Sequence, residues 1–350
     1  MRAEMENERM DCYVITSPST IYYLTGYRES VNAPLLLILT LESRPILLVH
    51  RMNYTLVKEY AKGCVIKSVS SGSELVKKAS AELRKLNIKK VCLDELPASW
   101  YLSLKTELSG AKLTLKPEVA WRLRRVKDSL ELQLLRQAAR ISVAGMKAAL
   151  ESLRAGVREY EIAAEAEYTM RKEGSEGVAF ETIVSSGRRS AWPHGLCGDR
   201  KLAEGDAVIL DIGAMYAGYR SDISRTAFVG QPSPDQANVY RAVCSAQEFV
   251  LSEMKIGMCG GEVDALARAV LRRYGYARYM LHGLGHGVGI DIHEPPRLGV
   301  NSKDLIEEES VVTVEPGVYI EGKFGVRIED TVAVHKGGLE VLTSCEKLVY

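Results

Sequence analysis

Two apolar hairpin patterns in this chain carry acidic side chains at matching positions. In the first, AVILDIGAMYAGYRSDISRTAF, Asp211 interrupts an apolar run and Asp222 follows in the returning strand. A turn centred on Tyr216-Ala217 would set these aspartates directly opposite each other, and Gly218 suits a turn or bulge position. The pattern predicts two carboxylates on one face of a hairpin.

The second pattern, SVVTVEPGVYIEGKFGVRIEDTVAV, repeats this arrangement with glutamates. A turn centred on Gly322 would set Glu315 opposite Glu329. The first strands of the two patterns are also alike, since Asp206–Gly213 and Ser310–Gly317 each have a carboxylate five residues after the first residue and a glycine two residues further on. This faint internal repeat indicates two related half-domains.

Acidic side chains in apolar strands carry a free-energy cost. Like charges that face each other across a sheet destabilise it, and burial of an unpaired carboxylate costs several kcal/mol unless its pKa rises. A single aspartate in a strand is more often at an edge or a turn than in a metal site. Two symmetric pairs are better explained by cations, and four carboxylates would neutralise two divalent ions.

Histidines and glycines are concentrated in MLHGLGHGVGIDIHEPPR, residues 280–297. Three of the six histidines in the chain lie there, and the glycines let the backbone pass close to a site. His286 with the four carboxylates would form an oxygen-rich set, which favours Mn²⁺, Co²⁺ or Fe²⁺ over a thiolate zinc site. His282 is equally compatible with site lining and with packing, and Arg327 is interpreted as a charge partner.

The chain is long enough for two domains. Residues 1–115 alternate short apolar strands with helices, which is typical of an α/β domain. Lys116-Pro117 marks a boundary, and Asp128 with Glu131 resembles a capping box at the start of a long helix. Residues 116–350 are predicted to form an α+β unit in which helices cover an antiparallel sheet, with continuous strands over Val311–Ile320 and Val326–Val334.

Composition excludes several classes of partner. The net charge of +1 gives no broad attraction to nucleic acid or to a membrane surface, and no run reaches the roughly 18 apolar residues of a membrane helix. The N-terminal residues lack the apolar core of a signal peptide. Seven cysteines without a CxxC pair indicate reduced thiols. We therefore expect a cytoplasmic protein with neither a nucleic-acid nor a membrane partner.

The same residues resemble the metal motifs of the Xaa-Pro peptidase family, metallopeptidase family M24, which also includes methionine aminopeptidases and creatinase. The resemblance extends through SSGRRSAWPHG, GDAVILDIGAMYAGYRSDISRT, HGLGHGVGIDIHEPP, TVEPGVYI and GVRIEDT, and ITSPSTIYYLTGY is similar to the N-terminal domain of proline-specific members. It implies a creatinase/prolidase-type α/β N-terminal domain, residues 1–115, and an α+β pita-bread catalytic domain, residues 116–350.

The resemblance also implies a role for each motif residue. Two divalent ions per subunit are expected, with Mn²⁺ or Co²⁺ favoured and Fe²⁺ or Zn²⁺ as alternatives. The implied metal ligands are Asp211, Asp222, His286, Glu315 and Glu329. Glu315 would also act as general base, His194 and His293 would stabilise the oxyanion and position the substrate, and Arg297 would bind the substrate carboxylate.

The implied reaction is hydrolysis of the X-Pro bond in dipeptides. An Xaa-Pro aminopeptidase that acts on longer peptides is an alternative, and so is a catalytically silent pita-bread protein that binds peptides. The silent protein would be expected to have lost ligands, and a methionine aminopeptidase would lack the first 115 residues. Family resemblance also implies a homodimer that forms through the N-terminal domain.

Overall fold

The computed structural model describes residues 1–29, 31 and 33–347. The chain folds into two compact units, Met1–Arg124 and Arg125–Tyr350. The sequence placed the boundary between residues 115 and 116, ahead of the helix Glu118–Arg125. That helix buries Val119 and Ala120 in a core cluster of the first unit, so the compact unit ends later than the sequence boundary.

The first unit contains a six-stranded sheet with helices. The strand order is β4-β3-β2-β1-β5-β6, with β1 antiparallel to β2 and parallel to β5. The strands are β1 (Cys12–Ile15), β2 (Leu35–Thr40), β3 (Ile46–His50), β4 (Val65–Val69), β5 (Lys90–Leu93) and β6 (Lys112–Leu115). The helices are α1 (Arg2–Asn7), α2 (Pro18–Thr25), α3 (Tyr54–Tyr60), α4 (Gly72–Lys85), α5 (Ala98–Glu107) and α6 (Glu118–Arg125).

Both faces of this sheet are buried at its centre, which explains the almost uninterrupted apolar sequences of β1, β2 and β3. All six residues of β2 are buried. Leu35 and Leu37 pack into one core cluster, and Leu36 and Ile38 pack into another on the opposite face. Successive side chains of a strand point to opposite faces, so helices must cover both. The predicted α/β class of this unit is confirmed.

The second unit is built from two helix pairs and antiparallel sheets. Its helices are α7 (Ser129–Ser152), α8 (Glu159–Lys172), α9 (Pro234–Glu253) and α10 (Gly260–Arg273). Its strands are β7 (Gly177–Val178), β8 (Ile183–Ser186), β9 (Ala207–Ile212), β10 (Ala214–Tyr216), β11 (Tyr219–Arg220), β12 (Ile223–Phe228), β13 (Gly285–Gly287), β14 (Glu294–Leu298), β15 (Val311–Val314), β16 (Gly317–Ile320), β17 (Phe324–Arg327), β18 (Asp330–His335) and β19 (Gly338–Val341).

The helices and sheets of this unit form two similar halves. Helices α7 and α8 pack with the sheet β12-β9-β8 around one core, while α9 and α10 pack with the sheet β14-β13-β15-β18-β19 around another. The predicted capping box is present, because Asp128 accepts hydrogen bonds from the Leu130 and Glu131 amides while the Glu131 carboxylate accepts one from the Asp128 amide. The predicted α+β class with related halves is confirmed.

The register predicted for the first hairpin is wrong by two residues. The turn lies at Ala217-Gly218, where both residues have positive φ, as a two-residue type I′ turn requires. Tyr216 therefore pairs with Tyr219, and Asp211 pairs with Ser224 rather than with Asp222. Asp222 lies two positions from Ser224 along the strand, so the two aspartates are diagonal neighbours on one face.

The register predicted for the second hairpin is confirmed, but its strands are not continuous. Val314 pairs with Asp330 on one side of a break, and Gly317 pairs with Arg327 on the other. Glu315 and Glu329 lie at the break, between the sheet that contains β15 and β18 and the separate ribbon of β16 and β17. The break takes both glutamates out of the regular ladder at the point where the two sheets diverge.

Two further features concern the chain as a whole. None of the helices formed by the described residues combines the length and apolar character needed to cross a bilayer. All seven cysteines are free thiols.

Candidate metal centre

Three side chains from different elements of the second unit bring metal-binding atoms together. One donor atom from each of Asp222, His286 and Glu329 lies within 4.8 Å of the other two. Asp222 directly precedes β12, His286 is in β13 and Glu329 directly precedes β18. Residues far apart in sequence thus converge on one point.

Glu315 and Asp211 complete the group of five that the sequence predicted. The Nε2 atom of His286 is 3.4 Å from Glu315 Oε1 and 3.7 Å from Asp222 Oδ2. Asp211 lines the same cavity as these residues, and Ser224 opposite it donates a hydrogen bond of 2.7 Å to Glu329 Oε2. The structure therefore brings all five proposed ligands to one cavity.

Two glycines allow the histidine strand to enter this crowded position. A Cβ atom at Gly285 would overlap the Thr313 carbonyl of β15, and one at Gly287 would overlap the Pro295 carbonyl of β14. Because β13 lies between those two strands, side chains at either position would push them apart. The GHG sequence thus places His286 at a depth that bulkier neighbours would prevent.

Without bound cations, the carboxylates of this group are destabilised by burial and by repulsion between their charges. Burial, and after it the charge of Glu329, raises the pKa of Asp222 well above its usual range. Burial, and after it the charge of Glu315, does the same to the pKa of Glu329. Burial raises the pKa of Glu315 to about 8, although the nearby charge of Arg327 opposes this shift. Protons or cations must compensate such a cluster.

Buried oxygen atoms without a hydrogen-bond donor indicate that cations, rather than protons, suit this site. Asp211 Oδ1, Asp222 Oδ1 and Glu329 Oε1 are buried and accept no hydrogen bond. Buried carboxylate oxygens without a donor are costly. Three such atoms beside an imidazole nitrogen form an oxygen-rich set with one nitrogen, which suits a divalent metal ion. The residues present fit the metal that the motifs imply.

The imidazole of His286 is oriented as a neutral ligand. Its Nδ1 atom lies 3.1 Å from the Gly287 carbonyl oxygen, which can only accept, so Nδ1 carries the proton. Nε2 is left with its lone pair directed at the carboxylates. Burial, and after it the charge of neighbouring His293, lowers the pKa of His286 to about 4. The ring is therefore uncharged at neutral pH.

Arg327 is the cationic partner of this group, and the number of its hydrogen bonds was not predicted. It donates a hydrogen bond of 2.6 Å to Asp211 Oδ2, one of 2.9 Å to Ser224 Oγ and one of 2.9 Å to Tyr319 Oη. Tyr319 Oη is also 2.8 Å from His282 Nε2. The interpretation of Arg327 as a charge partner is confirmed, whereas Tyr319 was missed. The sequence signal for Tyr319 was the two-residue period of a strand, because Tyr319 lies four residues after Glu315 and therefore on the same face.

A cavity of about 460 Å³ opens onto the five predicted ligands. His194 and His293 line it together with an apolar group, Phe180, Ile183, Leu196 and Ile292. The ring centroids of His293 and His286 are 4.4 Å apart. Burial, and after it the charge of His194, lowers the pKa of His293. His282 also lines the cavity, so it belongs to the site.

Arg297 is the one predicted site residue that does not line this cavity. It lies in β14, is exposed, and its amide donates to Asp304. Its charge is close enough to contribute to the lowered pKa of His293. Its role toward a substrate carboxylate stays a prediction.

Family comparison gives the context for this centre. The model of metallopeptidase family M24 matches residues 133–336. The chain belongs to this family. The model of the creatinase/prolidase N-terminal domain matches residues 1–126. The chain therefore has the two-part architecture of the family's prolidase-type members, an N-terminal domain followed by a pita-bread domain.

Individual relatives cover nearly the whole chain. The Xaa-Pro dipeptidase of Pyrococcus furiosus is 35% identical over 98% of this chain and 96% of its own length. The structure of the prolidase from Pyrococcus horikoshii OT3 is similar with a TM-score of 0.92 at 33% identity, covering 100% of this chain and 98% of that one. The X-Pro aminopeptidase from Thermotoga maritima is similar with a TM-score of 0.87 at 33% identity, covering 99% of each chain.

Proposed function

We propose that this chain is a metal-dependent Xaa-Pro dipeptidase, which cuts the peptide bond on the amino side of proline. The observation that carries the proposal is the group of four buried or half-buried carboxylates and one half-buried imidazole, with buried oxygens that lack hydrogen-bond donors. The names of the Pyrococcus furiosus and Pyrococcus horikoshii relatives support the proline-specific substrate.

The proposed centre holds two divalent ions per subunit, Mn²⁺ or Co²⁺ first and Fe²⁺ or Zn²⁺ as alternatives. Asp211 would bind one ion, His286 and Glu315 would bind the other, and Asp222 and Glu329 would bind both. When bound, such ions lower the pKa of a water toward neutrality and polarise the scissile carbonyl.

Glu315 is proposed as the general base and proton carrier. Without cations the pKa of its carboxyl is about 8 because it is buried, and adjacent positive charge lowers it toward neutrality. A group with such a pKa can take a proton from the attacking water and deliver it to the leaving proline nitrogen. The Thr313 hydroxyl, 3.4 Å from Glu315 Oε1, limits the orientation of the carboxyl.

His194 and His293 are proposed to act on the substrate side of the cavity. Both line it without belonging to the ligand set. Because the pKa of His293 is lowered, this ring is neutral at pH 7 and offers one N–H donor. A donor directed at the carbonyl oxygen stabilises the oxyanion that forms during attack.

The choice between dipeptides and longer peptides depends on what binds the proline carboxylate. Arg297 is the proposed partner, because a guanidinium fork matches a carboxylate. An aminopeptidase is the second candidate, favoured by the position of Arg297 outside the cavity lining and by the similarity to the Thermotoga maritima X-Pro aminopeptidase.

The test compares Ala-Pro with Ala-Pro-Ala as substrates, each with Mn²⁺, Co²⁺, Fe²⁺ and Zn²⁺. A dipeptidase cleaves Ala-Pro faster, and Arg297→Gln should remove that preference. Much faster cleavage of the tripeptide would establish the aminopeptidase instead. Protein that contains no stoichiometric divalent metal and stays inactive with every added metal would identify a silent peptide-binding protein.

We also propose a homodimer and a cytoplasmic location. Apolar side chains on the first unit support association: Met52, Leu56 and Tyr60 are exposed by 81%, 44% and 54%. The free cysteines support a reducing compartment. Light scattering during size exclusion measures the mass in solution, and a monomer at micromolar concentration would contradict the dimer.

A further inference from the structure

The loop that carries His194 has few contacts of its own to fix the histidine. We call residues 187–198 the His194 loop; it begins with the 3₁₀ helix Gly187–Ala191 and follows β8. Within the described part of the chain, no residue forms a hydrogen bond with the His194 imidazole. The position of the ring in the cavity therefore depends on how the backbone of the loop is held.

One buried carboxylate joins the two ends of this loop. Glu159, the first residue of α8, is fully buried. Its Oε1 atom accepts a hydrogen bond of 2.9 Å from the Ser186 amide and one of 2.7 Å from the Ser186 hydroxyl. Its Oε2 atom accepts one of 2.9 Å from the Gly198 amide. Ser186 precedes the loop and Gly198 ends it, so a single side chain closes its base.

The same carboxylate also reaches into the loop through a cation. Arg189 Nη2 is 3.5 Å from Glu159 Oε2 and donates to the Leu196 carbonyl. The guanidinium of Arg189 lies over the Trp192 ring, 5.6 Å from its centroid. Trp192 and Leu196 flank His194 at two residues' distance on either side. The charge of Glu159 thus supports both flanks of the histidine.

Close packing restricts the loop to this path. A Cβ atom at Gly198 would lie 3.1 Å from Arg189 Nη1 and 3.2 Å from Glu159 Oε2, and one at Gly195 would lie 2.5 Å from Ser185 Oγ. On the opposite side, Arg327 donates a hydrogen bond of 3.1 Å to the Pro193 carbonyl. The loop around His194 is therefore held by Glu159 on one side and by Arg327, which also pairs with Asp211, on the other.

We propose that Glu159 is a positioning residue for His194: it closes the His194 loop and so places the imidazole over the candidate metal centre. The inference rests on the proposed role of His194 in the function above. Glu159 does not reach the cavity, and every effect that it has on catalysis passes through the loop.

The test is a double-mutant cycle with Glu159→Gln and His194→Ala, measured as kcat/KM for X-Pro cleavage with metal content recorded. In Gln, one of the two acceptor positions becomes an NH₂ group, which cannot accept from Ser186 or Gly198 and repels Arg189. A displacement of the order of 1 Å costs up to about 100-fold in rate. We expect a loss of about 10- to 100-fold in the wild-type background and less than about 2-fold beside His194→Ala, with metal content unchanged, since partners that act as a unit are non-additive.

Two further variants keep the test decisive. Glu131→Gln is the matched control, because Glu131 is also a buried carboxylate at a helix start but contacts Asp128 and Tyr219 instead of the loop; its activity should be unchanged. If Glu159→Gln does not fold or loses metal, Ser186→Ala replaces it, with an expected loss of about 3- to 10-fold by the same reasoning of modest misplacement.

The outcomes separate this inference from the proposed function. An equal loss from Glu159→Gln in both backgrounds, or no loss in either, overturns the positioning role. A His194→Ala variant with full activity refutes the proposed role of His194 and the inference with it. If no X-Pro peptide is cleaved at all, the function fails, and hydrogen exchange still decides the anchor: Glu159→Gln should speed amide exchange in residues 187–198 and leave β9 unchanged, whereas unchanged exchange in the loop overturns it.

Discussion

Removal of the metals should expose the repulsion within the ligand group as a pH-dependent loss of stability. The change to study is Glu315→Gln, which removes one carboxyl whose pKa rises from 4.5 to about 8 on folding. The native state keeps a proton on this group between those pH values, while the unfolded chain has lost it. The free energy of unfolding of the wild type therefore falls by about 1.4 kcal/mol per pH unit from this group alone.

The comparison of variants reports on the carboxyl cluster. His282 and His286 have pKa values of about 4 in the fold and act in the opposite direction up to about pH 6.5, but they are present in both proteins. The charge of Glu315 also helps to raise the pKa of Asp222 and of Glu329, so its removal acts in the same direction as the loss of the Glu315 carboxyl itself. Between pH 5.5 and 7.5 the stability advantage of Glu315→Gln over the wild type should thus grow by about 2.7 kcal/mol. For a unit of this size that corresponds to about 5–10 °C in Tm.

The assay is thermal unfolding by calorimetry in a strong chelator at pH 5.5, 6.5 and 7.5, repeated with saturating Mn²⁺ or Co²⁺. With saturating metal the wild type should have the higher Tm, because ions that bind only the native state stabilise it and Glu315→Gln has lost a ligand. A Tm difference that stays constant over this pH range in the chelator would refute the reasoning.

Three further changes should have measurable effects. Asp222→Asn should abolish metal binding and hydrolysis while the protein stays folded, as metal analysis and circular dichroism would show; a loaded, active variant would contradict the ligand role. Gly285→Ala should destabilise the protein by about 1–3 kcal/mol in urea unfolding because of the clash with Thr313, whereas Gly337→Ala, which has open space around it, should be neutral. Asp330→Ala should cost about 3–5 kcal/mol by the same assay, because it leaves buried Arg225 without its partner at 2.7 Å; a loss below about 1 kcal/mol would show that water compensates.

The sequence could predict the ligand group because each pair of carboxylates lies within a single hairpin. Glu315 and Glu329 are related by a turn with Gly322 at its centre, where φ is positive, and that glycine was visible in the sequence. The first hairpin failed because its turn requires a positive φ at Ala217, a conformation that alanine rarely adopts. A glycine at that position would have given the correct register.

Contacts between distant segments were beyond the reach of sequence reasoning. Glu159 resembles any acidic residue at a helix start, and only the fold shows that Ser186 and Gly198 meet at its carboxylate. The break at Glu315 and Glu329 was not predicted, although Pro316 directly follows Glu315 and proline cannot donate a hydrogen bond to a ladder. It lies where the chain passes from the sheet of β15 and β18 to the separate ribbon of β16 and β17.

The ribbon of β16 and β17 has a consequence for engineering. Its pairs keep the same register as those of β15 and β18 across the break, so the spacing of the two glutamates is independent of what lies at the ribbon's tip, residues 321–323, which is exposed. Extra residues added in facing pairs at that tip would lengthen the ribbon into solvent and leave the acids in place. A single inserted residue would instead have to be absorbed as a bulge or would shift the register of the ribbon by one residue.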